Sequence, residues 1–422
     1  MNFKLSAHRQ EWPALIGSFA YFFSLLCGYY IIRPVRDEMG VQAGLSSLPW
    51  LFTAVFFVML ALMPVFGWLV SHVPRRRLLP ALYVFFALNL VAFYICMTGN
   101  PLGFDSKDVA KVFYIWVTVF NLFAVSVFWS FMVDLWNKEQ AKRLFGFIAA
   151  GGTLGALAGP TLTAAMVKSI GVPALLLLSA GFMLLCVAII VWLGRWGAAN
   201  GAISVDEERA MGGSLWDGLK LVVTKPLLLW LCALILLLAC LGTVMYFEQQ
   251  RLVAIAFATP AERTQFFAQL DLVTNLIVLA LEIFVTPIIL VRFGLLPALM
   301  ILPVLTLLSF GWMSVDASLS AVAIGLVLRR AAEYALAKPA REALFASLSR
   351  EEKYKAKNVI DTLVHRGGDM SGSWLTGWLK AVAPSTGQSA MLAIPLALGG
   401  IVAAYCLAKT HQKIEQKQSE AG

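Results

Sequence analysis

Residues 329–369 read RRAAEYALAKPAREALFASLSREEKYKAKNVIDTLVHRGGD, a charged stretch that begins and ends in apolar sequence. Its flanks carry Arg329, Arg330, Glu333, Lys338, Arg341, Glu342, Arg366 and Asp369. On a helix Arg329 and Glu333 stand four apart, as do Lys338 and Glu342, so each can be an internal ion pair. Those spacings do not claim Arg330, Arg341 or Arg366, although Asp369 lies three after Arg366. A guanidinium presents a planar fork of donors that matches phosphate or carboxylate. The chemistry on offer is therefore capture of an anion, with Arg329, Arg330, Lys338, Arg341 and Arg366 as ligands. Glu333, Glu342 and Asp369 are then candidates for gating or coupling. The competing reading is a buried network that ties two helices together. Charge inside a membrane costs from roughly 3 to over 10 kcal/mol, and such residues usually line a pathway.

A second cluster, YYIIRPVRDEMG, covers 29–40. Tyr29, Arg33 and Arg36 share one helical face at i, i+4 and i+7, and Asp37 is four past Arg33. Pro34 is expected to break the helix here and free backbone groups beside the arginines. Two readings stay open: Arg33 and Arg36 point into a cavity and attract an anion, or they snorkel at the membrane interface. Asp37 joins the gating candidates. An acidic set follows: Asp134, Glu248, Asp271 and Glu282. Glu282 and Asp134 are the ones that can titrate as substrate moves, since burial favours the neutral carboxyl; the alternative is an ion pair to another helix. His365 is either a pH-sensitive group or a packing and hydrogen-bonding residue.

These groups must be held by membrane helices. The chain of 422 residues is 60% hydrophobic and 14% charged, with a mean hydropathy of +0.79, which excludes an ordinary soluble protein. Apolar runs of about 20 residues recur along it, whereas the alternating segments of about 10 residues expected of a β-barrel do not. Twelve spanning helices are expected, near 12–39, 47–71, 78–98, 108–134, 144–168, 172–194, 226–249, 265–291, 295–314, 317–346, 357–380 and 387–408. The first is read as a retained helix and not a cleaved leader. The fold class is all-α, twelve transmembrane helices in two six-helix bundles. Residues 1–194 form the first bundle, 195–225 a cytoplasmic linker, 226–410 the second bundle and 411–422 a cytoplasmic tail.

With both termini in the cytoplasm, Arg75, Arg76, Arg77, Lys138, Lys142, Arg143, Arg350, Lys353, Lys355 and Lys357 fall on the inner side. That bias explains the net charge of +9 better than nucleic acid does. Residues 349–357 (SREEKYKAK) read as a solvated, topogenic loop. The six cysteines sit in apolar runs without metal or disulfide spacing. No metal-spaced His/Asp set, nucleophile elbow or P-loop occurs, so an enzyme is not expected, nor is a cofactor or a metal.

The halves look related. Residues 139–155 and 352–372 share a basic loop, an Ala-Lys and a later Gly-Gly, at an offset of 215 to 216. Parallel six-helix repeats of this kind resemble the major facilitator architecture. Residues 67–79, GWLVSHVPRRRLL, resemble its G-x-L-x-D-R-x-G-R-R loop through Gly67, Arg75 and Arg76, with Ser71 in place of the Asp and Pro74 in place of the second Gly. Gly151, Gly152, Gly155, Gly159 and Pro160 partly resemble its G-x-x-x-G-P antiporter motif, where small residues allow close backbone approach. A packing face in any helical bundle would look the same.

At two sites the chain resembles the ATP/ADP translocase family of bacteria and plastids. The pattern Y-x-I-L-R-D-T-K-D is met by Tyr30, Ile32, Arg33 and Asp37, with Arg36 for its Lys and Pro34 and Val35 for its Asp and Thr. The pattern around its tenth and eleventh helices is met by Glu342, Leu348, Glu351, Glu352, Lys355, Lys357, Ile360, Asp361, Arg366 and Gly368, with Arg341 for a Lys. The resemblance implies a major facilitator-like fold, exchange of nucleoside phosphates, and transport roles for cationic side chains in helices one and ten. A divergent bacterial branch with an altered substrate fits both lysine-to-arginine changes.

The expectation is therefore a secondary-active carrier of an anionic, phosphorylated substrate, working by alternating access in a bacterial inner membrane as a monomer. Its partners are that small anion and the lipid bilayer, with no nucleic acid. The alternative is a proton-coupled carrier of another organic anion or an amphipathic compound.

Overall fold

A computed structural model describes residues 8–73, 75–101, 103–200, 215–345 and 348–421. Each long helix is an apolar run stopped by local chemistry. α1 (Trp12–Gln42) opens with proline in its first turn. α2 (Leu48–His72) and α3 (Arg75–Thr98) follow. Asp105 caps α4 (Ser106–Leu135), and an Asn137–Gln140 capping box opens α5 (Lys138–Ile170). Gly171, at φ 81°, is the single residue between α5 and α6 (Val172–Ala199); a side chain there would be strained.

α7 (Leu215–Thr224) precedes α8 (Pro226–Ala256) and α9 (Pro260–Ala280). α9 continues through a π turn at Leu281–Val285, the short α10 (Thr286–Ile288) and a second π turn at Ile289–Phe293. α11 (Leu295–Val315) leads to α12 (Leu319–Ala332), a π turn at Glu333–Ala337 and α13 (Lys338–Leu344). α14 (Arg350–Val359), a π turn at Ile360–Val364 and α15 (His365–Val382) follow, then α16 (Thr386–Ala421).

Ten helices are long and apolar enough to cross a membrane among the described residues. The runs expected at 317–346 and 357–380 are helical as well, but they carry the charged stretch and are broken by π turns. Residues 349–357 are not a plain solvated loop. Ser349 and Glu352 form a capping box, and Ala356 and Val359 are fully buried. Lys225 binds Glu352 at 2.6 Å, which holds that carboxyl below its ordinary value. The first helix does not break at Pro34: α1 runs through it to Gln42, as membrane helices tolerate. The side chains of Gly67, Ser71, Arg75, Arg76 and Glu351, all of Pro74, and linker residues 201–214 lie outside the described residues.

The chain divides into two compact units. One holds Met1–Gly44, Ala61–Ala210 and Phe257–Leu272; the other holds Leu45–Leu60, Met211–Ala256 and Val273–Gly422. Each contains the same packing device. In the first, α5 presses glycines on the backbone of α1: a Cβ on Gly151 would lie 2.5 Å from the Phe19 carbonyl oxygen, and one on Gly155 2.4 Å from that of Phe23. In the second, α15 does this to α8: a Cβ on Gly368 would lie 2.8 Å from the Leu236 carbonyl oxygen, and one on Gly372 2.4 Å from that of Cys240. The four positions of the first unit, Phe19, Phe23, Gly151 and Gly155, correspond to Leu236, Cys240, Gly368 and Gly372, each 217 residues later. Close backbone approach of this kind replaces hydrophobic drive as the source of helix association in lipid.

Backbone cannot swing aside as a side chain can. Gly155→Val is therefore expected to force α1 and α5 apart and cost at least the roughly 1–3 kcal/mol of ordinary overpacking. A markedly lower apparent Tm in detergent checks this, against little change for Gly146→Val, where a Cβ meets nothing within 4 Å. The start of α1 is tied to α5 as well. Glu11 accepts from Gln140 Nε2 at 2.8 Å, from Arg143 at 3.1 Å and from the His8 amide at 2.8 Å. Burial pushes the Glu11 carboxyl up, but these donors outweigh it and hold it below 4.5. The tie therefore stabilises fully above that pH and is lost as pH falls through the lowered value.

Candidate functional site

In the second unit a cavity of about 160 Å³ opens beside the π turn at Glu333–Ala337. α8 and α11 line it with apolar side chains, Leu231, Leu234, Leu299 and Leu302 among them. Its polar groups are Glu333, Tyr334, Lys338, Arg341 and His365. Tyr334, Lys338 and Arg341 fall at i, i+4 and i+7, so one face of this segment turns toward the cavity. The π turn inserts an extra residue and re-aims that face; such turns are frequent at functional sites. It is pinned from α10, where the Thr286 hydroxyl lies 2.7 Å from the Ala335 carbonyl and 3.1 Å from that of Leu281. A hydroxyl there compensates backbone groups that the π turns leave poorly paired.

A chain of ion pairs runs behind the cavity. Arg329 is buried, donates to the Leu238 carbonyl at 2.7 Å and approaches Glu333 at 3.4 Å. It fits because residue 242 is glycine: a Cβ there would lie 2.1 Å from the guanidinium. Glu333 faces His365 Nε2 at 3.9 Å, and Asp369 faces His365 Nδ1 at 3.5 Å. Arg366 pairs with Asp369 at 3.3 Å, and Arg341 with Asp361 at 3.7 Å. Lys338 is exposed, sits over the Tyr334 ring at 5.8 Å, and attracts Glu282 on the neighbouring π turn. Glu282 is itself exposed.

Several expected partners are exchanged. Glu342 binds Lys357 at 2.5 Å and not Lys338. Asp37 binds Arg36 at 2.7 Å, while Arg33 meets Asp271 at 3.5 Å. Arg330 is half-buried and outside the cavity lining, and Asp134 is half-buried near the end of α4. Glu248 is buried in a clamp joining α8, α15 and α16: Lys380 at 2.5 Å, Arg251 at 3.2 Å and the Thr386 hydroxyl at 2.8 Å.

The first unit has its own charged cluster, where α1 meets the first turns of α9. Arg33 and Arg36 are mostly buried, over the rings of Tyr30 and Tyr114 at 5.4 and 5.3 Å. Glu38, with no exposed surface, accepts two bonds from Arg263, at 2.7 and 2.8 Å. Arg263 also donates to the Phe257 and Ala258 carbonyls, at 3.1 Å each. Glu38 and Arg263 are not among the residues expected from sequence. They are 225 positions apart, and no local spacing joins them. His365, Glu333 and Asp369 were each visible as candidates, but the meeting of His365 with Glu333, 32 positions away, was not.

Comparison with known proteins gives a consistent result. The family model described as Major Facilitator Superfamily matches residues 14–328. The ADP,ATP carrier protein 1 of Chlamydia muridarum (strain MoPn / Nigg) is 22% identical over 467 aligned positions, covering 94% of this chain and 87% of the relative. The ADP,ATP carrier protein 1 of Chlamydia pneumoniae is 20% identical, covering 92% and 88%. Among solved structures, the nucleoside transporter NupG has a TM-score of 0.68 at 13% identity, covering 94% of this chain and 99% of its own. A POT family transporter in complex with 5-aminolevulinic acid has a TM-score of 0.65 at 14% identity, covering 95% and 96%.

Proposed function

This chain belongs to the Major Facilitator Superfamily, and from that premise we propose that it exchanges nucleotide-type anions across the membrane by alternating access. It is a multi-pass membrane transporter and not an enzyme. The proposal includes twelve spans in two six-helix halves, a bacterial inner membrane, cytoplasmic termini and a monomer. The observation that carries the substrate class is the cavity: Lys338 and Arg341 present cations from one helical face beside an apolar lining. That combination suits a phosphoryl group joined to a less polar base. The likeness to ADP,ATP carriers over most of the chain supports it. At about 160 Å³ the cavity is smaller than the ~300–1,000 Å³ typical of ligand sites, so in this conformation it accommodates the phosphoryl end alone.

Among the residues that line the cavity, the cations Lys338 and Arg341 outnumber the one carboxylate, Glu333. Closing over excess positive charge is costly because desolvation must be offset. A bound anion removes that penalty, which favours exchange over empty return. The pair Glu38–Arg263 acts as the latch of one end state, and Glu282 and Asp134 remain candidates for coupling.

A thermal-shift series with ADP, ATP and inorganic phosphate tests the site. Nucleotide is expected to raise the apparent Tm of the wild type. Lys338→Ala and Arg341→Ala are each expected to weaken binding about ten- to a hundredfold, the worth of one charge-assisted hydrogen bond (~1.5–3 kcal/mol). Equal shifts in wild type and both variants would remove these residues from the site.

A further inference from the structure

His365 is the one imidazole in the cavity lining, and it stands between two carboxylates from different segments. Nε2 faces Glu333 of the π turn at 3.9 Å, and Nδ1 faces Asp369 of its own helix at 3.5 Å. A neutral imidazole has one N–H donor and one acceptor nitrogen, whereas the imidazolium has a donor on each side. With carboxylates at both nitrogens, the neutral ring must turn a lone pair toward one of them. Only the imidazolium satisfies both directions.

The surrounding charge is defined. The π turn brings Glu333, backed by Arg329. α13 brings Lys338 and Arg341 into the same cavity. α15 and the π turn before it bring Arg366 and Asp369, with Asp361 held by Arg341. α8 contributes the Thr243 hydroxyl on Asp369 at 3.4 Å, while its Glu248 and Arg251 sit with Lys380 and Thr386 at the far end of α15. α16 has no charged residue between Thr386 and Leu407. Lys338 and Glu282 face each other across the same site, and protonation of His365 changes the charge there without stripping a carboxylate from its arginine.

We propose that His365 is a proton-binding residue of the anion site, so that the anion is bound and carried together with one proton. The inference rests on the reading of the cavity as an anion site. Above the midpoint at which the anion-free ring titrates, anion binding draws a proton from water onto the ring nitrogen, and release returns it to water; no covalent bond to the cargo forms. The imidazolium adds positive charge at the cavity wall, which favours the anion, and the anion favours the imidazolium by the same factor.

The test has two arms on the full-length protein in lipid nanodiscs. In the first, [13C]histidine is introduced; with four histidines in the chain, His365→Gln assigns the resonance. The resonance is expected to titrate, and its midpoint to move when Glu333→Gln or Asp369→Asn removes a flanking carboxylate. A resonance that does not titrate between about pH 5 and 10, or is indifferent to both substitutions, overturns the proton site. In the second, ADP binding is measured against pH. One linked proton gives up to a tenfold loss of affinity per pH unit in the wild type, and a flat profile in His365→Gln. A flat wild-type profile, or the same slope in both proteins, overturns the coupling. Absence of ADP and phosphate binding at every pH counts against the anion site itself, and the resonance arm still decides whether His365 takes up the proton.

Discussion

Glu38→Gln is expected to release the first turns of α9 from α1. Glu38 has no exposed surface and accepts both of its strong bonds from Arg263, at 2.7 and 2.8 Å. The amide has nearly the shape of the carboxylate but no charge, so its single oxygen can accept only one of the two Arg263 bonds and no longer offsets the charge of the mostly buried guanidinium. Removing one partner of a buried ion pair costs about 3–5 kcal/mol. If the pair is present in one end state and absent in the other, that cost moves the population by about a hundred- to a few thousandfold. The helix itself should survive, since α1 is still packed on the glycines of α5. Spin labels at the end of α1 and the start of α9 would report the change as a longer, broader distance distribution. Arg263→Gln should give the same distribution, and the double variant should be no worse than either alone. An unchanged distribution in Glu38→Gln would mean that this pair does not hold the state. Asp271→Asn should do less, because Arg33 approaches Asp271 at 3.5 Å, a longer approach than the 2.7 and 2.8 Å bonds on Glu38.

Arg329→Met carries the second large effect, and it falls on stability rather than on cargo. The guanidinium holds Glu333, the Leu238 carbonyl and the notch over Gly242. Methionine fills part of the volume and removes all of the charge. Glu333 then loses its closest arginine. The expected loss is about 2–4 kcal/mol, less than for a fully buried pair because Glu333 keeps 31% of its side chain exposed. Arg329→Met combined with Glu333→Leu should recover most of it, since no lone charge remains. Apparent Tm values of the two single variants and the double variant check this. If the double variant is as unstable as the sum of the singles, the pair is not a unit. Gly242→Ala should resemble a weak Arg329 variant, because the added Cβ occupies the guanidinium's place.

These two sites differ in how far the sequence discloses them. Arg329 and Glu333 are four apart on one helix, and local spacing alone proposes the pair. Glu38 and Arg263 are not neighbours in any local sense. Their meeting depends on the rotation of two long helices, which apolar runs do not encode. The same limit explains the exchanged partners. Spacing suggests Lys338–Glu342, yet Glu342 reaches Lys357 because another helix brings that cation closer, and Arg33 meets Asp271 on a helix that spacing along α1 does not disclose.

Helix positions are legible because an apolar run of sufficient length must span or be buried. Three local features escaped. Pro34 reads as a break, but in a helix packed on both sides the neighbours absorb a missing N–H. Residues 349–357 read as a solvated loop, but a capping box and a fully buried Ala356 make a helix of them. The π turns have no marker in composition, although Glu333, Asp361 and Glu282 each stand at the start of one. The repeat was legible from its glycines but out of register: the sequence spacing is 215 to 216, whereas packing matches Gly151 and Gly155 to Gly368 and Gly372, 217 later, where a backbone is admitted and no side chain fits.

We propose that nucleotide anions exchange through the cavity that holds Lys338 and Arg341. The most direct test is uptake of labelled ATP into proteoliposomes that are either empty or loaded with ADP. Uptake is expected only into ADP-loaded vesicles, and Arg341→Ala, with an unchanged apparent Tm, should reduce it at least about tenfold. Folded wild-type protein that takes up no label into loaded vesicles, or takes it up equally into empty ones, would rule out nucleotide exchange.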